Sequence, residues 1–157
     1  MVTMWRVDEE RTLIAELTEM ALTQAAPDEL AVFDETAEEY FADPQAAVSA
    51  VAKGQAFGFG LELAMITPAA LSVGSVVMQA LISIVSERTL TAGARTVSSQ
   101  VRRLMRKEEP NPEITLTREQ AGRVRQVALD QAAALGLPEA QALLLADSFV
   151  GAIWSTA

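Results

Sequence analysis

The chain has 157 residues, a formal net charge of −9 and a hydrophobic share of 50%, so it is long enough to bury the core of one domain. It contains no cysteine and no histidine, which excludes disulfides and thiolate chemistry and removes the commonest metal ligand and general base. It also has no phosphate-binding, dinucleotide-binding, nucleophile-elbow or zinc-protease motif, so we expect a non-enzymatic protein without cofactor or bound metal. Its richness in Ala, Leu and Glu predicts an all-α fold.

The N-terminal third predicts three amphipathic helices, which cover 7–23, 27–41 and 44–54. Between positions 1 and 49, twelve acidic residues stand against two arginines. Paired carboxylates such as Glu38 and Glu39 are the groups used for acid–base chemistry or for binding a hard cation. Neighbouring residues of a helix do not face each other, however, so we interpret these carboxylates as a solvent-exposed helix face.

The central segment is the most apolar part of the chain, because no charged residue occurs from Leu63 to Val85. At 1.5 Å per residue this stretch is long enough to cross a hydrocarbon core of about 30 Å. Serine, threonine, glycine and glutamine residues dilute its hydrophobicity. Pro68 disfavours helix at Thr67 and predicts a break there, with a short piece before it and a longer helix after it.

A membrane-spanning segment would give this chain an awkward topology. Basic residues follow the apolar stretch and would place the C-terminal side in the cytoplasm. The acidic N-terminal part would then have to be exported, although residues 1–10 lack the basic and apolar regions of a signal peptide. The sequence therefore favours a buried core helix over a membrane helix.

The long helix is predicted to continue from Pro68 to Leu104, since apolar residues keep a heptad-like spacing from Leu90 onward. A basic face accompanies this spacing and consists of Arg88, Arg95, Arg102, Arg103, Arg106 and Lys107. Such a face binds an acidic protein surface, an anionic lipid surface or nucleic acid. The acidic N-terminal third, in the same chain or in a second copy, is the nearest complement. The net negative charge and the lack of interleaved aromatic residues argue against nucleic acid as a partner.

The C-terminal part predicts a helical hairpin after a proline-containing linker at 108–113. Thr117 and Gln120 match a capping box that starts a helix ending near 134, and the Gly136-Leu137-Pro138 stretch separates it from a last helix at 138–154. The last helix is apolar on nearly every face, which indicates a central or interface position. It contains no Arg or Lys, so we do not interpret the hairpin as a DNA-binding motif.

We therefore expect an all-α single bundle of five or six helices around a long central helix. Residues 1–109 would form the acidic helices and the apolar and basic central helix, and residues 113–157 would form a hairpin packed on the same core. The expected function is a cytoplasmic protein-interaction module, an adaptor or self-assembling accessory protein that binds another protein or a second copy of itself. Phe149 and Trp154 join the basic face as expected contacts.

The alternative is a small membrane-associated protein, an anchor or a pore-former. In this interpretation the helix at 63–85 inserts into the bilayer, and the basic face lies on the anionic leaflet.

Overall fold

The computed structural model describes residues 7–47, 66–88, 94–105 and 115–154. Within these ranges the chain forms six α-helices and one 3₁₀ helix, with a further helical turn at 44–47 and no strand beyond an isolated bridge. The elements are α1 (Val7–Ala25), the 3₁₀ helix (Pro27–Val32), α2 (Phe33–Ala42), α3 (Thr67–Arg88), α4 (Ala94–Leu104), α5 (Arg118–Ala134) and α6 (Glu139–Gly151). The predicted all-α class is confirmed. The predicted helix beyond residue 47, the piece before Ile66 and the 108–113 linker lie outside the described residues.

The apolar helix α3 lies at the centre of the bundle, where it contacts α1, α2, α4, α5 and α6. It starts where Pro68 predicted, because a proline in the first helical turn lacks only an N–H that would have no intrahelical partner. Its contacts with α1 run antiparallel, since Gln79 donates a hydrogen bond to Glu10 while Gly74 lies beside Thr18. Helices α1 and α5 thus flank α3 and remove most of its apolar surface from water.

The helix predicted to run without interruption from Pro68 to Leu104 is instead two helices, α3 and α4. Arg102 of α4 forms an ion pair with Glu16, which lies on α1 between the residues that contact Gly74 and Gln79. In one straight helix Arg102 would lie roughly 35 Å beyond Gln79, at 1.5 Å per residue. The chain therefore turns back after α3, and α4 packs against it.

The first contact that fixes α3 is an N-terminal cap supplied from a distant part of the chain. Glu29 of the 3₁₀ helix accepts hydrogen bonds from the backbone N–H groups of Ile66 (3.1 Å) and Thr67 (2.9 Å) and from the Thr67 hydroxyl. The free N–H groups of a helix start and the positive end of its dipole both favour a carboxylate here. Glu29 thereby fixes the start of α3 against the acidic N-terminal helices.

Helix α3 packs closely at Gly74, where α1, α3 and α6 meet. A methyl group at Gly74 would overlap the hydroxyl of Thr18 and lie 3.3 Å from the ring of Phe149. Glycine lets the three helices approach closely, at the cost of a residue that weakens helices. The Thr18 hydroxyl is buried and has no hydrogen-bond partner among the described residues. We refer to Thr18, Gly74 and Phe149 as the Gly74 seam.

The predicted C-terminal hairpin is formed by α5 and α6. Both hydrogen bonds of the capping box are present, from Gln120 N–H to the Thr117 hydroxyl (3.1 Å) and from Thr117 N–H to the Gln120 side chain (3.0 Å). Gly136 has a positive φ of 85° at the end of α5, a conformation that glycine adopts without strain. The hairpin packs on α1 and α3.

The last helix was predicted to reach Trp154 but ends at Gly151. The backbone beyond it leaves the helix and pairs with two other segments. Trp154 N–H donates to the Leu104 carbonyl (2.7 Å), and Leu116 N–H donates to the Trp154 carbonyl (3.0 Å). These bonds join the end of α4 to the chain just before α5, so that the C-terminal segment closes the bundle.

Candidate functional site

The structure describes the side chains of two residues of the predicted basic face, Arg102 and Arg103, and these two differ. Arg102 donates to Glu16 at 2.8 Å, so one arginine of this face already neutralises an acidic side chain of α1. Arg103, the next residue, is exposed. The side chains of Arg88 and Arg95, and all of Arg106 and Lys107, lie outside the described part of the chain. Their proposed role as binding residues stays a prediction.

The two aromatic contacts predicted in the last helix differ in exposure. Phe149 has an exposed fraction of 0% because it packs against Gly74 in the core. In this structure the Phe149 side chain contributes to packing, and its predicted contact with a partner stays a prediction. Trp154 is partly buried, and its backbone holds the C-terminal segment in place. The large apolar side chains that α6 does expose are Leu143 and Leu144.

An open groove of about 530 Å³ lies between α1 and α2, and we call it the α1–α2 groove. Its apolar lining is formed by Ala15, Phe33, Ala37, Phe41 and Ala42, and its polar lining by Arg11, Thr12, Asp34 and Glu38. The helical repeat produces this arrangement, because residues four apart project from the same face of a helix. The small side chain at Ala15 keeps α1 from filling the space opposite the aromatic residues of α2.

Phe41 is the aromatic side chain of this groove that remains partly exposed. Its ring lies edge-on to Tyr40, with centroids 5.3 Å apart and an interplanar angle of 76°. The guanidinium of Arg11 lies 5.6 Å from the centroid of the Phe41 ring, within the range of a cation–π contact. Tyr40 is itself buried, and its hydroxyl lies 3.5 Å from that of Ser75 on α3. The Phe41 ring is therefore bordered by Arg11 of α1 and by Tyr40, which itself reaches α3.

The charge of α2 is strongly one-sided. Its four carboxylates are exposed, and none of them forms an ion pair with any described residue; they are Asp34, Glu35, Glu38 and Glu39. They form two rows on the helix, Asp34 with Glu38 and Glu35 with Glu39, and the residues of each row lie one turn apart. Only the row of Asp34 and Glu38 lines the groove. The sequence interpretation recognised the solvent-exposed carboxylates but missed the groove beside them. The only local signal of the groove in the sequence is Phe41, an apolar residue of α2 that lies beside the row formed by Asp34 and Glu38.

The described residues contain no group of three or more acidic side chains placed to hold a metal ion. In α3, the stretch Thr67–Glu87 is long and apolar enough to cross a membrane by length and composition alone. The other helices bury 61% of its most apolar window, as they would for the core helix of a bundle. Comparisons with protein-family models, with curated proteins and with solved structures found no match for this chain.

Proposed function

We propose that the protein is a non-enzymatic protein-interaction module, an adaptor or self-assembling accessory protein, and that it binds through the α1–α2 groove. The observation that carries the proposal is an open apolar groove with a partly exposed aromatic ring, bordered by carboxylates that have no ion-pair partner in the described structure. Aromatic residues are enriched in protein interfaces, and complementary charge directs the partner to them.

The carboxylates of α2 do not contribute to its stability through ion pairs. Like charges four residues apart on a helix destabilise it by about 0.2–0.5 kcal/mol per pair. Asp34 with Glu38 and Glu35 with Glu39 form two such pairs, and both are exposed to water. A basic partner would relieve this repulsion on binding. Asp34 and Glu35 lie in the first turn of α2, where the helix dipole favours acidic side chains, whereas Glu38 and Glu39 lie beyond it and are better explained by an interaction than by folding.

The basic face is a weaker candidate for the binding surface than the acidic face of α2. Arg102 is already paired with Glu16 and is only 42% exposed. Breaking that pair to bind an external partner would offset part of the gain, since the ion pair is worth about 0.2–1 kcal/mol. The α2 carboxylates have no such internal pair to lose.

The test begins with affinity capture by the 157-residue chain and ends with direct binding to a captured protein in purified form. One variant neutralises the α2 carboxylates and carries Asp34→Asn, Glu35→Gln, Glu38→Gln and Glu39→Gln. A control variant neutralises four acidic side chains on other helices and carries Glu87→Gln, Glu119→Gln, Asp130→Asn and Glu139→Gln. We expect the α2 variant to bind about tenfold more weakly, which corresponds to roughly 1.4 kcal/mol, while the control variant binds within about threefold of the original. Equal weakening by both variants would show general attraction to negative charge and would contradict the proposal.

Membrane association is the second candidate function, and the length and composition of α3 favour it. Insertion of the 63–85 helix would require the contacts of α3 with α1, α2, α5 and α6 to separate. An alkaline carbonate wash of membranes from cells that produce the untagged chain distinguishes the two candidates. Retention after the wash would support an anchor or pore-former and contradict the bundle-based module. Release into the supernatant would exclude a spanning helix and leave the module, for which we propose a cytoplasmic location.

A further inference from the structure

We propose that the α1–α2 groove binds an amphipathic helix of another protein, with apolar side chains on one face and lysine or arginine along the edge that lies against α2. This inference rests on the proposed function and specifies the chemistry of the partner at the same surface. Three features of the groove carry it, which are its shape, its anchored aromatic ring and the unequal charge of its two edges.

The shape of the groove suits side chains that project from a helix. Its volume of about 530 Å³ is open to solvent between two helices rather than enclosed. Pockets for small ligands have similar volumes, about 300–1,000 Å³, but they bury most of the ligand surface. An open groove between two helices instead suits a partner helix that lies along it and inserts apolar side chains at helical spacing. Leu, Ile, Met or Phe side chains at positions i and i+3 or i+4 fit this arrangement.

Phe41 provides the anchor for such side chains. The edge contact with Tyr40 and the overlying guanidinium of Arg11 hold its ring before any partner binds. A side chain that is already ordered loses little conformational entropy on binding, so its contact area is converted into affinity more fully. Aromatic residues held in this way are typical of interface hot spots.

The two edges of the groove carry opposite charge. Asp34 and Glu38 lie one turn apart on the α2 edge, and their Cβ atoms are about 5–6 Å apart at that helical spacing. Lysine or arginine residues one turn apart on a partner helix match this spacing. Arg11 lies on the α1 edge and disfavours a second basic row there. The same carboxylates repel anionic lipid headgroups and nucleic-acid phosphates, which leaves a basic protein segment as the partner.

The experiment uses the 157-residue chain and a labelled synthetic peptide of about four helical turns, at an ionic strength of about 0.15 M. The peptide has leucine on one face, lysine along one edge and neutral polar residues elsewhere. A second peptide replaces each lysine by glutamate, and a third scrambles the first so that no apolar face remains. Fluorescence anisotropy gives the affinity of each. We expect the first peptide to bind at least about tenfold more tightly than either of the others, or by roughly 1.4 kcal/mol.

Two matched double variants locate the binding site on the protein. Asp34→Asn with Glu38→Gln changes the groove edge, and Glu35→Gln with Glu39→Gln removes the same charge from the row outside the groove. We expect the first pair to weaken peptide binding about tenfold and the second less than about threefold, because Asp34 and Glu38 line the groove whereas Glu35 and Glu39 do not. Phe41→Ala tests the anchor and should also weaken binding about tenfold. Circular dichroism melts show that each variant is folded.

Four outcomes would overturn the inference. Equal effects of the two double variants, or equal binding of the scrambled peptide, would indicate attraction to acidic charge without use of the groove. Self-association that disappears in the groove-edge variant, measured by sedimentation velocity, would identify the occupant as a second copy. Failure of all three peptides to bind would reject the amphipathic helix as partner. The capture experiment with the four-residue variants would still decide the proposed function, so the two failures are distinguishable.

Discussion

Helix α1 contributes to two regions that differ in packing and in charge. At the Gly74 seam, Thr18 meets α3 and α6 so closely that no space remains for a methyl group, and no charged side chain takes part. Along the α1–α2 groove, only a few residues earlier, Arg11 and Ala15 border about 530 Å³ of open space beside two unpaired carboxylates. One face of α1 is thus fully used in folding, and the neighbouring face is not.

The difference indicates which region determines stability and which is available for binding. Dense apolar packing supplies most of the free energy that opposes unfolding, and its loss or overfilling is costly. Exposed unpaired charges contribute little and can even destabilise a helix. Substitutions at the seam should therefore change stability, and substitutions of the α2 carboxylates should change binding alone.

The largest expected effect is at Gly74. Gly74→Leu forces a branched side chain against Thr18 and Phe149, and we expect the free energy of unfolding to fall by about 3 kcal/mol, near the upper end of overpacking costs. Gly122 of α5 is the matched control, because no atom lies within 4 Å of the position that its Cβ would occupy. Gly122→Leu should raise stability by about 0.7 kcal/mol through helix propensity alone. Urea denaturation of the two variants gives both values.

A second test of the Gly74 seam measures the effect of a substitution at Gly74 in a chain that also carries Thr18→Ala. Thr18→Ala removes the hydroxyl that a methyl group at Gly74 would overlap. Gly74→Ala should then cost less than in the original chain, with a coupling of roughly 1 kcal/mol between the two positions. Additive effects of Thr18→Ala and Gly74→Ala would show that the Thr18 hydroxyl does not limit the space at Gly74, which would contradict the close packing of the Gly74 seam.

An intermediate effect is expected at Glu29, an acidic side chain of the N-terminal third with a clear structural role. Glu29→Ala leaves two backbone N–H groups and the Thr67 hydroxyl without their acceptor, and we expect a loss of about 2 kcal/mol. Glu29→Gln keeps one side-chain oxygen and should lose about half as much. Glu39→Ala, on the exposed row of α2, is the control and should change stability by less than about 0.5 kcal/mol. A loss at Glu39 equal to that at Glu29 would contradict this assignment.

The two caps in this structure illustrate what the sequence could predict. The cap of α5 depends on Thr117 and Gln120, three residues apart, and the capping-box pattern predicted both of its hydrogen bonds. The cap of α3 depends on Glu29, which is separated from Ile66 by 37 positions. No local pattern specifies which of many acidic residues reaches that helix start. Helix class, most helix boundaries and the hairpin followed from local signals, whereas contacts between distant elements did not.

The central helix and the groove also combine features that the local sequence predicted with features that it could not predict. The heptad spacing from Leu90 to Leu104 is satisfied equally by a continuing helix and by a separate helix packed on α3, so periodicity alone could not reveal the reversal. Gly93 was the main local sign of a weak point. The groove depends on the distance between α1 and α2, which a small residue such as Ala15 affects but does not fix. Its acidic edge was visible in the sequence, and its apolar lining could not be placed beside that edge.

The smallest expected effect on stability concerns the α2 carboxylates. We expect the variant with Asp34→Asn, Glu35→Gln, Glu38→Gln and Glu39→Gln to unfold within about 0.5 kcal/mol of the original chain at moderate salt. At low salt the difference should stay small, because removal of two repulsive pairs offsets the lost interaction of Asp34 and Glu35 with the positive end of the α2 dipole. Urea denaturation at two salt concentrations measures both values.

A stability change near zero in this variant would support a role in binding for the acidic edge of the α1–α2 groove. Four exposed charges that can be removed without loss of stability are not maintained by folding, so their clustering beside a partly exposed aromatic ring requires another explanation, which binding supplies. A loss of more than about 1 kcal/mol would instead mean that these carboxylates stabilise the bundle through contacts of their own. The groove would then resemble the Gly74 seam in being used for folding, and the acidic edge would no longer favour a basic partner over any other.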